Sequence, residues 1–345
     1  MNYKITFKKI FLIAITGFLG SQSMAQLANT GDFTRAGDDA SAITKAYIGP
    51  LFKGFGVGLN NGWFNTANVH KSGRFDLTFA FSAVFVPDAD KTYDASTLNL
   101  QIAEPTDKAN TIAPTIFREN TDQKDFYSVY YKDPITHNKV LADKFNAPGG
   151  IGFGLVPVPI ANLSVGVIKG TEVSIRYIPT ISNNKVGAKI SLIGFGVKHS
   201  IKQWIPGISE LPFDLSAQAA YTTLTASTSL DVDHNDPTKE MVLKTHAYTF
   251  NVIVSKQIAM LTGYAAVGYQ GSSSDINING TYKIQGPSGE MSITNPVSVT
   301  ASGANGLRAT LGARLKLLVA TLHADYTFSS YSSATIGLGV CVDFL

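Results

Sequence analysis

Gly306–Leu345 reads GLRATLGARLKLLVATLHADYTFSSYSSATIGLGVCVDFL, and its period decides the fold. From Leu307 the apolar residues Leu307, Ala309, Leu311, Ala313 and Leu315 take every second position, with Arg308, Thr310, Gly312 and Arg314 between them. The phase then shifts by one, and Ala320, Leu322, Ala324, Tyr326 and Phe328 alternate with Thr321, His323, Asp325 and Thr327. A last run, Ala334, Ile336, Leu338, Val340, Val342 and Phe344, alternates with Thr335, Gly337, Gly339, Cys341 and Asp343. Period two sustained in this way means strands with one apolar and one polar face. Each segment is about ten residues long, and a tilted strand crosses a bilayer with roughly 9–11. The polar face is Thr, Gly and Ser with isolated charges, which suits a lumen better than a solvated exterior. The pattern predicts an all-β, transmembrane, antiparallel up-and-down barrel. A soluble sandwich or lipocalin-like barrel, with its apolar face turned inward, is the rival.

The start of the chain favours the membrane. Lys4, Lys8 and Lys9 precede the short apolar run Ile10–Gly20, and Ser23-Met24-Ala25 supplies small residues for cleavage before Gln26, the layout of a secretory signal. That run is too short to span as a helix, no other stretch approaches the ~20 apolar residues required, and no Cys follows it for a lipid anchor. The formal charge of +3 belongs wholly to this segment, so the mature chain is neutral, with no basic footprint for nucleic acid. Charged residues at 15% and a mean hydropathy of +0.09 are too polar for a helix bundle and normal for an alternating barrel. Cys341 is the single cysteine, which excludes an intramolecular disulfide and a Cys-based metal site; it reads as a small space-filler on the polar face of the last strand.

The expected plan is a signal peptide (1–25), a helix and plug-like segment (26–71) and a barrel (72–345). After Asp38-Asp39, the residues Ala40, Ile43, Tyr47, Ile48 and Leu51 share a helical face, which predicts a helix over about 39–49, bent or ended by Pro50. Gly54–Ala67 is dense in Gly, Asn and aromatics. Its glycines are not a phosphate loop, because no buried strand precedes them. Either it plugs the lumen, with Asn60, Asn61, Trp63 and Asn65 as candidate plug residues, or it is a first strand turning at Asn60-Asn61-Gly62. Arg74 to Val86 then alternates strongly, with Phe75, Leu77, Phe79, Phe81, Ala83 and Phe85 on one face. The long stretch 87–149 loses the pattern apart from short β-prone pieces near 112–117 and 126–131, and reads as a large extracellular loop. Strands resume at Leu163 after the apolar, Gly/Pro-rich 150–159. The count is about twelve, within a range of about ten to fourteen. Lys202-Gln-Trp-Ile-Pro-Gly-Ile208 reads as an interfacial turn with Trp204 at headgroup depth.

Together these features resemble the outer-membrane barrels of Gram-negative bacteria, nearest to the long-chain fatty-acid and toluene channels for hydrophobic compounds. Gly54–Ala67, Lys198–Gly207 and Leu311–Phe328 also resemble a family of uncharacterised outer-membrane proteins. The resemblance implies outer-membrane lipid and the barrel-assembly machinery as partners, and a small hydrophobic solute as possible cargo. The chain departs from it in ending Phe344-Leu345 rather than on an aromatic, and in lacking a recognisable hatch motif.

Parity points Arg74, Asp76, Arg176 and Lys189 into the lumen, along with Arg308, Arg314, His323 and Asp325. Mixed charges there form an ion-pair network or select a solute. With regular turns centred near Leu317-Leu318 and Tyr331, His323 falls opposite Gly312 and Gly339, which leaves room for a proton-linked imidazole or a merely solvated one. Ser and Thr abound, so no Ser–His pairing stands out, and the remaining histidines show no metal spacing. No cofactor is indicated. The functional expectation is a passive channel or transporter for small hydrophobic or amphipathic solutes. The alternative is a non-transporting barrel acting as a surface interaction or scaffold protein; an enzyme is the remotest reading.

Overall fold

The computed structural model describes residues 29–342 apart from 120–121, 134, 184–187, 231–235, 237 and 287–288. The signal peptide, its cleavage after Ala25 and the terminal Phe344-Leu345 lie outside the described residues. The alternation closes into a ring of ten antiparallel strands. They are β1 (Phe75–Phe85), β2 (Leu155–Gly166), β3 (Thr171–Asn183), β4 (Ala188–Ser200) and β5 (Asp214–Ser229), then β6 (Glu240–Ile258), β7 (Leu261–Ile278), β8 (Gly306–Leu317), β9 (Ala320–Phe328) and β10 (Ser333–Val342). Each pairs with its neighbours in sequence, and β10 returns to β1 with Val342 opposite Phe75. This is the expected up-and-down barrel, at the low end of the strand count.

Two stretches of strand stand outside the ring. The hairpin Thr281–Gly286 with Gly289–Thr294 alternates like a barrel strand but pairs with itself. Val297–Ser302 pairs with the end of β7, outside the ring. In the other direction, β2 starts at Leu155 rather than Leu163. Pro157 and Pro159 fit because β2 has parted from β3 there: that pairing runs only from Asn162 to Gly166, so the missing donors break no ladder bond.

One end of the barrel has the short turns at 167–170, 259–260 and 318–319 together with the connection 201–213; the other carries the longest connections, 86–154 and 279–305. Strands β5, β6 and β7 have 16, 19 and 18 residues, more than a bilayer crossing uses, and their faces exchange roles along their length. Near the short-turn end Phe250, Val252 and Val254 of β6 face outward, while Thr249, Asn251 and Ser255 are buried within. Past Tyr248 the outward residues become Lys244 and His246, and the inward ones Met241, Leu243 and Ala247. In β7 outward Val267 and Tyr269 give way to Ser273 and Asp275, with Ile276 and Ile278 inside. One half of the barrel is thus built for an apolar surround and the other for water. Lys189 lies in the second half and is exposed on the outer face, not in the lumen as expected, because on β4 the inward positions are the even ones.

Helix α1 spans Ala40–Leu59, past the expected end at 49 and with Pro50 inside it. Glycines are poor helix formers, but here the barrel wall requires them. A Cβ on Gly54 would lie 2.4 Å from Val156 Cγ2, and one on Gly58 2.3 Å from Val158 Cγ2. Bare backbone lets the helix lie against β2. Its apolar residues join Leu192, Leu224, Leu243 and Ile276 in the core of the long-connection half. A cap covers this mouth. It holds the sheet Ala103–Pro105, Gln123–Lys132 and Lys139–Ala147, which includes the expected β-prone piece 126–131, and the pair Thr92–Asp94 with Ile112–Pro114, at the start of the other piece. The 3-10 stretch Asn29–Asp39 belongs to it: Phe33 meets Tyr47 edge-on at 5.4 Å, Arg35 pairs with Asp143 at 2.6 Å, and Asp39 accepts from the Gln101, Ile102 and Ala103 amides. Among the described residues no helix is long and apolar enough to cross a membrane, which says nothing about strands.

Candidate functional site

After Leu59 the chain runs irregularly between inward-facing strand residues and enters β1, so Gly54–Ala67 is not a first strand. A helix end leaves carbonyls without partners and carries partial negative charge. Two strand arginines supply the missing donors. Arg176, fully buried, donates to Leu59 O at 2.9 Å, to Asn61 O at 2.8 Å and to Asn162 Oδ1 at 2.7 Å. Arg308 donates to Asn60 O and to Asn61 Oδ1, both at 2.8 Å. Asn61 Nδ2 reaches Ser82 and Ser333 Oγ, each at 2.8 Å, and Asn60 Nδ2 reaches Gly271 O at 3.2 Å. Helix end and barrel wall form one hydrogen-bonded unit.

Trp63 lies beneath the Arg176 guanidinium, 4.1 Å from its carbon to the ring centre. Its slot is cut by glycine: a Cβ at Gly196 would lie 2.9 Å from Trp63 Cε3. Asn65 is half-buried and borders a cavity of about 20 Å³, room for a single water. Thus the four candidate plug residues are brought together, three of them buried.

Closer to the short-turn end, Arg314 pairs with Asp76 at 2.8 Å, both buried. Asp325 accepts from Tyr264 Oη at 2.9 Å. Arg74 is half-buried just before β1. His323 is buried opposite Arg314 and Gly337, not Gly312 and Gly339. The β8–β9 turn is Leu318-Val319, with Leu318 at φ 57°, one position later than assumed, and the register moves by two. Room for the imidazole comes from Gly337, where a Cβ would lie 2.2 Å from His323 Cε1.

A neighbouring group escaped the sequence reading. His70 Nδ1 lies 2.7 Å from Glu172 Oε2, Lys198 Nζ is 3.1 Å from Glu172 Oε1, and His70 Nε2 is 3.4 Å from Cys341 Sγ. Glu172 and Lys198 have inward parity on β3 and β4, which was a usable signal. His70 had none, since nothing local tells a loop histidine from a luminal one. Trp204, expected at headgroup depth, is 69% exposed in the connection after β4 and stacks on His199.

The chain belongs to a family of unknown function, DUF6588, whose profile matches residues 4–342. No curated protein matches it. Among solved structures it is similar to the outer-membrane protease OmpT of Escherichia coli, with 7% identity, 78% of this chain and 97% of that one covered, and a TM-score of 0.33. It is similar to the translocator domain of the autotransporter NalP of Neisseria meningitidis, with 10% identity, 90% and 99% covered, and a TM-score of 0.32. A Pseudomonas aeruginosa FadL homologue shares 8%, with 79% and 91% covered and a TM-score of 0.22. Likenesses this distant carry no function across.

Proposed function

We propose that this family member is a sealed outer-membrane barrel that anchors a folded cap at the cell surface and acts through the cap rather than by conducting solute. The observation that carries this reading is the pair Arg176 and Arg308, which bind the end of α1 to the wall across the lumen. An open channel would leave those donors to water. The belt of outward apolar residues, including Phe195, Phe250, Val267 and Leu338, supports a bilayer location, since such a patch is a liability in water. Outer-membrane barrels turn their short connections to the periplasm, which supports reading the cap as the outer side.

The channel expectation requires the luminal segment to leave, and conductance separates the two readings. In planar bilayers the intact mature protein should show no steady current, and deletion of 26–66 should open a stable pore. A steady current from the intact protein would overturn the sealed barrel. For sidedness, a cysteine placed at Ser96 in a Cys341→Ala background should react with an impermeant maleimide on whole cells, and one at Lys169 should not. The reverse pattern would put the cap in the periplasm.

A further inference from the structure

The buried group at the short-turn end has no part in holding the end of α1. Asp76, on β1, and Cys341, on β10, face each other across the pair that closes the barrel. His70 reaches them from the luminal segment. The three are 4%, 1% and 9% exposed, and one ligand atom from each lies within 4.8 Å of the others. The His70 Nε2 to Cys341 Sγ distance is 3.4 Å. A metal with legs of about 2.0–2.1 Å to nitrogen and about 2.3 Å to sulfur at a tetrahedral angle spans about 3.5 Å between those atoms.

The surroundings match a metal site in three further respects. Glu172 at 2.7 Å engages His70 Nδ1, which turns Nε2 toward Cys341, the carboxylate–histidine arrangement that orients metal ligands. A polar cavity of about 20 Å³ bordered by His70, Asp76 and Thr78 has room for one water as a fourth ligand. An open cleft of about 500 Å³ between Val69–Ser72 and Val167–Gly170 reaches His70 from the short-turn end, a route of entry.

Against the expectation that a single cysteine excludes a Cys-based metal site, we propose that His70 Nε2, Cys341 Sγ and the Asp76 carboxylate bind a zinc ion, which fastens the luminal segment to the seam between the first and last strands. Sulfur, nitrogen and oxygen donors together suit Zn²⁺ and not the oxygen-seeking Ca²⁺ or Mg²⁺. On binding, the Cys341 S–H bond and the His70 Nε2–H bond break, the freed electron pairs form the Zn–S and Zn–N bonds, His70 keeps its Nδ1 proton toward Glu172, and both released protons leave to solvent. Lys198 balances Glu172 and Arg314 balances Asp76, so the new thiolate offsets one of the two charges of the ion.

The test uses the full mature protein in detergent, stripped of metal and titrated with Co²⁺ and then Zn²⁺. One equivalent of Co²⁺ should produce a near-ultraviolet thiolate-to-cobalt absorption that Zn²⁺ abolishes. Zn²⁺ should also raise the temperature at which the compact form is lost on unboiled gels. Glu172→Gln should weaken Zn²⁺ binding by about 10–100-fold, and Cys341→Ser should abolish the absorption. If intact protein binds Co²⁺ without that absorption, or binds none, the proposal falls and the contact is only an S–H to imidazole hydrogen bond. This outcome is independent of the conductance result, so the two readings fail separately.

Discussion

Arg176 on β3 lies 4.1 Å over the Trp63 ring while donating to the carbonyls of Leu59 and Asn61, so one strand side chain both caps the helix and holds the first aromatic of the luminal segment. Replacing it with Met removes three hydrogen bonds and strands buried carbonyls. The expected loss is about 2–4 kcal/mol in urea unfolding of the refolded barrel. Lys should not restore it, because an ammonium cannot make the planar fork that serves Leu59, Asn61 and Asn162 together. Recovery by Arg176→Lys would show that charge alone matters.

Asn61 is the other centre of the seal, serving Arg176, Arg308, Ser82 and Ser333. Asn61→Ala keeps the backbone carbonyl for Arg176 and leaves the rest short of a partner. Stability should fall by about 1–3 kcal/mol, and bilayer recordings should show brief openings that intact protein lacks. Unchanged, silent recordings would place the seal elsewhere.

Close approach of α1 to β2 predicts a compensating pair. Gly58→Val puts a branched side chain where even a Cβ sits 2.3 Å from Val158 Cγ2. It should cost about 1–3 kcal/mol by overpacking and lower the temperature of the heat-induced gel shift. Adding Val158→Ala should return much of the loss. If the double variant is no better than the single, the helix does not press on that wall.

These sites show how far the chain could be read from its letters. The alternation of 307–342 was plain because lipid outside and polar lumen inside impose opposite demands on successive residues. In 240–247 the alternation continues with its meaning reversed, and parity alone could not tell that Lys189 had passed beyond the apolar belt. Propensity ends a helix well before Gly54-Phe-Gly-Val-Gly58; it continues because Val156 and Val158 leave space only for bare backbone. The hairpin registers failed by two residues because each depends on a single turn position. The plug residues were legible as an unusual composition, but their partners, Arg176 and Arg308, lie more than a hundred positions away.

Acid should loosen the cap through Asp90, which accepts from Lys53 at 2.9 Å and from Tyr331 Oη. Burial pushes its carboxyl up, but the hydrogen bonds from Tyr331 and Lys53 and the lysine charge outweigh this and hold it below the ordinary aspartate range. A depressed folded value means the stabilisation is complete above the unfolded value of about 3.9 and disappears as pH falls through the folded one. Wild type should therefore exceed Asp90→Asn in thermal stability near neutrality and converge with it as pH falls through the depressed folded value of Asp90. Parallel curves would mean that Asp90 contributes nothing through its charge.

The passage of residues 60–74 through the ring also makes the molecule a thread held inside a loop of itself. Ahead of the thread, Asn29–Asp39 lies in the cap, at the opposite end of the ring from the start of β1. During assembly, either the thread is laid down before that seam closes, or Asn29–Asp39 is pushed through a finished ring and folds beyond it. In the first case a bulky domain fused ahead of residue 26 is carried to the cap side with no barrier of pore size. In the second, the ring is a sieve for whatever precedes it.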